Sequence, residues 1–309
     1  MKIIITGACG HIGSYVAENV HKIKKIKHTV LVDNLKSNRF SSIFNLRKKS
    51  NIKFYIKDLN DINTLDEFKN VDYLIHCASM TNAEKSFGNK KEMYKNNLNC
   101  LKTTIRYCKK NKVKLIHLSS TSVYGKQAEI VDENCEKKYL KPQSPYAKIK
   151  LIEEKMLKKE SKHLKYVTFR FGTIAGVSKG IRFHTAVNKF CFNAALNEKI
   201  QIYKTALHQY RPYLSVRDAF KVFKFCIEKD FFENDIFNVV SGNFTVDQII
   251  NKIKKIKKNV KIRYVDSEIM NQLSYHVDKT KLTNKGLLIN SNLDTEIADT
   301  LKLLENIKK

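Results

Sequence analysis

Ser120, Tyr146 and Lys150 are the residues of this chain whose types and spacing suit proton transfer from an alcohol. Tyr146 and Lys150 stand four apart in a segment that opens with Ser144 and Pro145, a capping residue followed by a proline suited to a first helical turn. That spacing puts both side chains on one helix face. An ammonium beside a phenol favours the phenolate and pulls its pKa down from about 10, which makes a general base. The hydroxyl of Ser120, in the run Ser119-Ser120-Thr121-Ser122-Val123-Tyr124-Gly125, can bridge the phenol and a substrate alcohol. Tyrosine and lysine also fall at this spacing on helices that do no chemistry, so the surrounding elements decide the reading.

Those elements begin at the first residue. Residues 1 to 6 read as a buried strand, Gly7-Ala8-Cys9-Gly10-His11-Ile12-Gly13 follows at once, and a helical pattern runs from Ile12 to about Val20. Gly7 suits the tight turn, Gly10 lets backbone approach a pyrophosphate, and Gly13 allows close helix packing, with the helix N-terminus facing the anion. The next apolar run, Thr29-Val30-Leu31-Val32, ends at Asp33, twenty residues beyond Gly13. A carboxylate there suits a ribose 2'-hydroxyl and repels a 2'-phosphate, so the expected cofactor is NAD, not NADP. Apolar runs at Ile52 to Ile56, Val71 to Ile75 and Val113 to Leu118, with helical stretches expected between them, predict a parallel sheet covered on both faces. Ligands of such sheets lie at the carboxyl ends of the strands, which places Asp58-Leu59 beside the adenine and Cys77-Ala78 beside the phosphates. Cys77 itself reads as a small packed residue.

Composition narrows the partners. Lys and Arg number 58 against 30 Asp and Glu, a formal charge of +28, but the lysines are scattered along helical stretches and form no basic block. A nucleic-acid partner is therefore not favoured. Seven cysteines show no CxxC and no paired spacing with His, so no metal site and no disulfide framework is expected; free thiols fit a reducing cytoplasm. No apolar run approaches the length of a membrane span. With 42% apolar residues in 309, the chain can bury one large core or two coupled ones.

With the Gly7 turn, Asp33, Ser120, Tyr146 and Lys150 in place, the sequence resembles the extended short-chain dehydrogenase/reductase family, in its NAD-dependent nucleotide-sugar epimerase/dehydratase branch, over almost its whole length. Val32-Asp33-Asn34-Leu35-Lys36-Ser37-Asn38 resembles the adenosine loop of UDP-galactose 4-epimerases, and Asn96-Asn97-Leu98-Asn99 the helix that brings an Asn, here Asn97, towards the active site. Arg170-Phe171-Gly172-Thr173-Ile174-Ala175-Gly176 and Arg211-Pro212-Tyr213-Leu214-Ser215-Val216-Arg217-Asp218 resemble the signatures of the sugar-nucleotide half. The resemblance implies an α/β fold: a Rossmann-type doubly wound parallel sheet, residues 1–170, with a smaller C-terminal α/β substrate lobe, residues 171–309, interleaved with it. It implies cofactor contacts from Gly7, Gly10, His11, Ile12, Gly13, Asp33, Asn34, Ser37, Asp58, Leu59, Cys77, Ala78, Asn97, Tyr146 and Lys150. Substrate contacts are expected from Ser120, Thr121, Thr173, Arg182, Asn188 and Arg211, with Arg211 near the diphosphate.

The implied reaction oxidises a sugar carbon, most often C4, while Tyr146 takes the hydroxyl proton; a 4-epimerase then returns hydride to the other face of the keto sugar. A C4 dehydrogenase or ketoreductase would use the same residues. A 4,6-dehydratase needs an Asp-Glu pair after the catalytic Ser, where this chain has Thr121 and Ser122, and ranks below both. A second diphosphate arginine expected near residues 268 to 275 is not evident, and the nucleotide stays open among UDP, GDP, CDP and dTDP. A non-enzymatic alternative is an NAD-sensing or RNA-binding member. Many relatives dimerise through two helices, here about 90–111 and 144–160, so a homodimer is expected. His184 reads as a packing or substrate-contact residue, and the tail from Ser291 to Lys309 as an amphipathic closing helix.

Overall fold

The structure, a computed structural model, describes residues 1–46, 51–81, 87–125, 130–136, 138, 140–266 and 275–307. In chain order the elements are β1 (Lys2–Thr6), α1 (His11–Asn19), β2 (His28–Asp33), β3 (Ile52–Ile56), β4 (Tyr73–His76), α2 (Lys90–Asn111), β5 (Lys114–Ser120), β6 (Ile130–Val131) and α3 (Pro145–Lys159). There follow β7 (Tyr166–Phe171), β8 (Thr173–Ala175), α4 (Ala186–Ala195), β9 (Ile200–Tyr203), β10 (Tyr210–Ser215), α5 (Val216–Lys229), β11 (Ile236–Val239) and β12 (Gly242–Thr245). The chain closes with α6 (Val246–Ile256), β13 (Ile262–Val265), β14 (His276–Val277), α7 (Thr280–Asn284) and α8 (Asp294–Leu303).

The central sheet has seven strands in the order β11-β7-β5-β4-β1-β2-β3, every neighbouring pair parallel. Ile3 and Ile5 face one side and Ile4 the other, and all three are fully buried, because both faces of a parallel sheet are covered. On one face Ile3 and Ile5 pack with Val16 and Val20 near α1 and with Phe223 of α5; on the other Ile4, Leu74 and Leu115 pack with Leu101 of α2 and Leu157 of α3. Strand order reverses between β1 and β4, and the crevice outside their carboxyl ends is where ligands of such sheets bind.

Two connections differ from the expectation of helices. Among the described residues, a short 3-10 turn at Phe40–Ile43 is the only helical piece between β2 and β3, and turns alone join β3 to β4. Asp58 Oδ1 accepts from the backbone of Asn60 and Asp61 Oδ1 from that of Asn63, at 2.9 and 3.0 Å, and such side-chain bonds compete with helical ones.

The second lobe is a three-stranded sheet, β12-β10-β8, a two-stranded one, β13-β9, and helices α4, α6 and α8 around Val187, Cys191, Ile249, Ile253 and Ile297. The chain crosses between the halves repeatedly: after β8 and β10 in the lobe, α5 packs on α1 and β11 completes the large sheet. The closing helix is α8, shorter than expected, with Ile297 and Leu301 buried; Lys308 and Lys309 lie outside the described residues, as do residues 268–274, where a second diphosphate arginine is expected. No helix among the described residues is long and apolar enough to cross a membrane.

Candidate active site

The glycine turn after β1 has the geometry its sequence predicts. Gly7 sits at φ +63°, and a Cβ on it would lie 2.6 Å from the Ala78 nitrogen, so the turn after β1 rests directly on the turn after β4. A Cβ on Gly13 would lie 2.2 Å from the Gly7 oxygen, which holds α1 against the turn. The first turn of α1, His11, Ile12 and Gly13, therefore presents its unpaired backbone N–H groups at the crevice.

Asp33 ends β2, buried, its Oδ2 accepting from the Cys9 backbone at 3.0 Å and its Oδ1 from that of Leu35 at 2.8 Å. Asn34 Oδ1 caps the next turn by accepting from the Lys36 backbone, and Ser37 is exposed on that loop. Asp58 binds Lys36 Nζ at 2.9 Å and is held at about 2, well below the ordinary carboxylate range: burial opposes the ionised form but is outweighed by hydrogen bonds from Asn60 and Lys36. Leu59 is buried beside it, and its carbonyl accepts from Thr103. Cys77 is half-buried, and desolvation pushes its thiol upward, as suits a packed residue. Asn97 is fully buried and binds both backbone groups of Met80, Oδ1 accepting at 2.8 Å and Nδ2 donating at 3.0 Å, so its side chain fixes the loop after β4.

Ser144 caps α3 by accepting from the Ala147 backbone, and Pro145 occupies the first turn, as the sequence predicts. Tyr146 is half-buried; Lys150 Nζ lies 5.7 Å from its ring centre. Ser120 ends β5 as the cap of a 3-10 turn, its Oγ accepting from the backbone and hydroxyl of Ser122 at 3.2 and 2.9 Å. Thr121 is buried and donates to the Phe171 carbonyl, so its hydroxyl is engaged by the protein.

Segment 176–185 forms the opposite wall. It is pinned to the glycine turn by Gly180 N donating to Ser14 Oγ at 2.9 Å and by His11 Nε2 meeting the Gly176 carbonyl at 2.8 Å. Asn188, fully buried, accepts from Gly176 N and donates to the Arg182 carbonyl; it clamps this segment. Arg182 bonds Thr81 Oγ1 and is drawn down to about 10 by burial and then by the Arg39 charge, with the Tyr146 phenol acting against both. Arg211, on β10, bonds Gln209 and sits near Tyr213 and Tyr275, and the Tyr275 hydroxyl donates to the Thr121 carbonyl. Thr173 opens β8, half-buried beside Tyr213.

These residues fit a dinucleotide. Of six buried side-chain polar atoms without a hydrogen-bond partner among the described residues, four are His11 Nδ1, Ser178 Oγ, Arg182 Nε and Thr185 Oγ1, at the first turn of α1 and in the wall that packs on it. Unpaired buried groups of that kind suit a polar, anionic ligand. Sequence reasoning missed Arg39, six residues past Asp33, and the buried pair Glu153 and His117 behind Lys150. The signal for Glu153 was its place three residues beyond Lys150 on the same helix.

Fold and crevice together define an α/β protein built like a short-chain dehydrogenase/reductase, with its dinucleotide turn and tyrosine helix meeting at the strand-order reversal. The chain belongs to the NAD dependent epimerase/dehydratase family, whose sequence pattern matches residues 3–239. It is 27% identical, over 97% of its length, to the trifunctional UDP-glucose 4,6-dehydratase/UDP-4-keto-6-deoxy-D-glucose 3,5-epimerase/UDP-4-keto-L-rhamnose-reductase RHM3 of Arabidopsis thaliana, of which it spans 46%. It is 30% identical to the uncharacterized UDP-glucose epimerase YtcB of Bacillus subtilis over 57% of each chain. The chain thus spans about half the length of these curated relatives. Among solved structures, a UDP-N-acetylglucosamine 4-epimerase from Methanobrevibacter ruminantium M1, in complex with UDP-N-acetylmuramic acid, superposes with a TM-score of 0.85 at 25% identity over 97% of both chains.

Proposed function

We propose that this chain is an NAD-dependent nucleotide-sugar 4-epimerase that works through a transient 4-keto sugar. The observation that carries the reading is Lys150 beside Tyr146 on one face of α3, with the half-buried Arg182 facing the phenol. NAD, held by the glycine turn and Asp33, would supply the hydride acceptor at C4 and, once reduced, the hydride donor to either face of the ketone. The glycine turn and the first turn of α1 receive the pyrophosphate, and Asp33 receives the adenosine ribose. Tyr146 takes the proton of the C4 hydroxyl, Ser120 orients that hydroxyl, and Lys150 sets its ammonium beside the phenol, where it would also hold the nicotinamide ribose. Tyr146 then returns the proton when the ketone is reduced. Arg182 and Arg211 face the diphosphate of the sugar nucleotide. A dehydratase would need an acid and a base where Thr121 and Ser122 stand, and the Thr121 hydroxyl already donates to Phe171. The active form in this reading is a homodimer joined through α2 and α3.

The test is to identify any nucleotide retained on purification by mass spectrometry and absorbance, then to incubate the protein with UDP-, GDP-, CDP- and dTDP-sugars. Retained NAD and conversion of one sugar to an isomer of equal mass are expected. A product two mass units lighter, with NADH accumulating, would replace the epimerase with a dehydrogenase. RNA retention at physiological salt without turnover of any sugar would overturn the enzymatic reading.

A further inference from the structure

Behind Lys150 lies a pair of buried polar groups, Glu153 and His117, to which the reaction above gives no role. Lys150 Nζ lies 2.7 Å from Glu153 Oε2, and the same oxygen lies 3.1 Å from His117 Nε2; the three side chains are 4, 1 and 0% exposed. His117 Nδ1 is 3.3 Å from Thr168 Oγ1. One assignment of protons satisfies every contact: Thr168 donates to Nδ1 of a neutral His117, and His117 Nε2–H and the Lys150 ammonium both donate to Glu153. Burial does hold His117 neutral, against the pull of Glu153.

We propose that Glu153, backed by His117, is a positioning residue of the Tyr146/Lys150 centre: it supplies the buried countercharge that keeps Lys150 an ammonium and fixes where that ammonium points. The inference rests on the role proposed above for Lys150. A lysine this deeply buried loses its proton readily unless a carboxylate is beside it. Burial pulls Lys150 down, and Glu153, with Tyr146 next, reverses this to a net upward shift. The other charged or titratable groups around the pair do not substitute for Glu153. Glu154 on α3 is taken by Arg170 of β7, His76 of β4 is buried and neutral, and Cys77 and Cys100 are thiols held protonated by burial. Arg182, facing Tyr146, adds only positive charge.

The experiment follows the lysine Cε resonances of the protein as purified, labelled with carbon-13, taking as Lys150 the signal missing from Lys150→Met. In the wild type this signal should stay at its ammonium position past pH 10. In Glu153→Gln its midpoint should fall by about two pH units or more, with Glu153→Asp between the two, and the alkaline limb of turnover should fall in step. Equal midpoints in wild type and Glu153→Gln would overturn the proposal. Should Glu153→Gln fail to fold, the Glu153 Cδ signal of the wild type decides: a carboxylate down to pH 4 is expected, and a neutral carboxyl at pH 6 would overturn it. Because these signals report ionisation without turnover, their failure is separate from failure to convert a sugar.

Discussion

The two walls of the crevice are built on opposite principles. On the side of the central sheet, most polar side chains are closed onto their own chain: Asp33 holds the Cys9 and Leu35 backbone, Asn97 holds Met80, and Glu154 holds Arg170 through two bonds of 2.9 and 2.8 Å, with Arg170 Nη1 and Thr29 Oγ1 the exceptions among the described residues. On the side of segment 176–185, Asn188 clamps the backbone while Ser178, Arg182 and Thr185 keep buried polar atoms without partners among the described residues. The first wall is preorganised geometry, and the second is charge and hydroxyls whose hydrogen bonding the described residues leave partly unmet. Chemistry should therefore fail when the first wall is altered, and affinity when the second is.

The largest expected effect lies at the first wall. Tyr146→Phe removes the proposed base and keeps the ring, so turnover should drop by about 10²- to 10⁴-fold with retained cofactor unchanged; near-normal turnover in a sugar-conversion assay would break the comparison at its centre. Next comes Glu154→Ala, which strips Arg170 and Ser119 of a buried carboxylate while touching no reacting group. It should lower unfolding stability by about 3–5 kcal/mol in urea titration and leave the Michaelis constant near its wild-type value.

How much of each wall could be read in the sequence follows from the same contrast. The glycine turn, Asp33 and the capped tyrosine helix depend on residue types at fixed short spacings, and all were found where the spacing put them. Asn97 and Asn188 were legible as residues near the site, but not in what they hold, because their partners are backbone groups 17 and 12 residues away in the chain. The Lys150–Glu153–His117 chain joins a helix to a strand 36 residues earlier, and no local pattern announces such a contact. Among the described residues, the helix expected between β3 and β4 gives way to Asx turns, whose side-chain bonds a periodicity count does not register.

His11 joins the walls, and acid should separate them. Burial, with Arg182 adding to it, holds its ring down to about 3, against an ordinary value of 6.5. The unfolded chain therefore binds a proton below 6.5 that the folded chain refuses until about 3. The stability linked to His11 is complete above 6.5 and is lost as pH falls towards 3, at about 1.4 kcal/mol per unit. Thermal unfolding of His11→Gln should show a shallower loss between pH 6.5 and 4.5 than the wild type; parallel curves would mean that the His11 ring titrates alike in the folded and unfolded chain. Further down in size, Arg182→Met should weaken binding of the nucleoside diphosphate that the wild type takes, among UDP, GDP, CDP and dTDP, by about 10- to 100-fold in calorimetry with little change in retained NAD, the signature of the open wall.

The smallest effect tests whether the closed wall also selects its ligand. Asp33 has two jobs in the proposed reading, bracing the loop and excluding a 2'-phosphate, and alanine would confound them by leaving the Cys9 and Leu35 backbone without acceptors. Asparagine keeps the shape and one acceptor while removing the charge. Arg39, whose ionisation is favoured by Asp33, would then lose its nearby carboxylate and be available to a phosphate. The preference for NAD over NADP, measured as a ratio of binding constants, should fall by about tenfold in Asp33→Asn, with a stability loss of about 1–3 kcal/mol from the one backbone N–H left facing the amide NH2, smaller than the loss in Asp33→Ala. An unchanged ratio would mean that Asp33 serves the loop alone, and that this wall binds its ligand through backbone geometry without discriminating by charge.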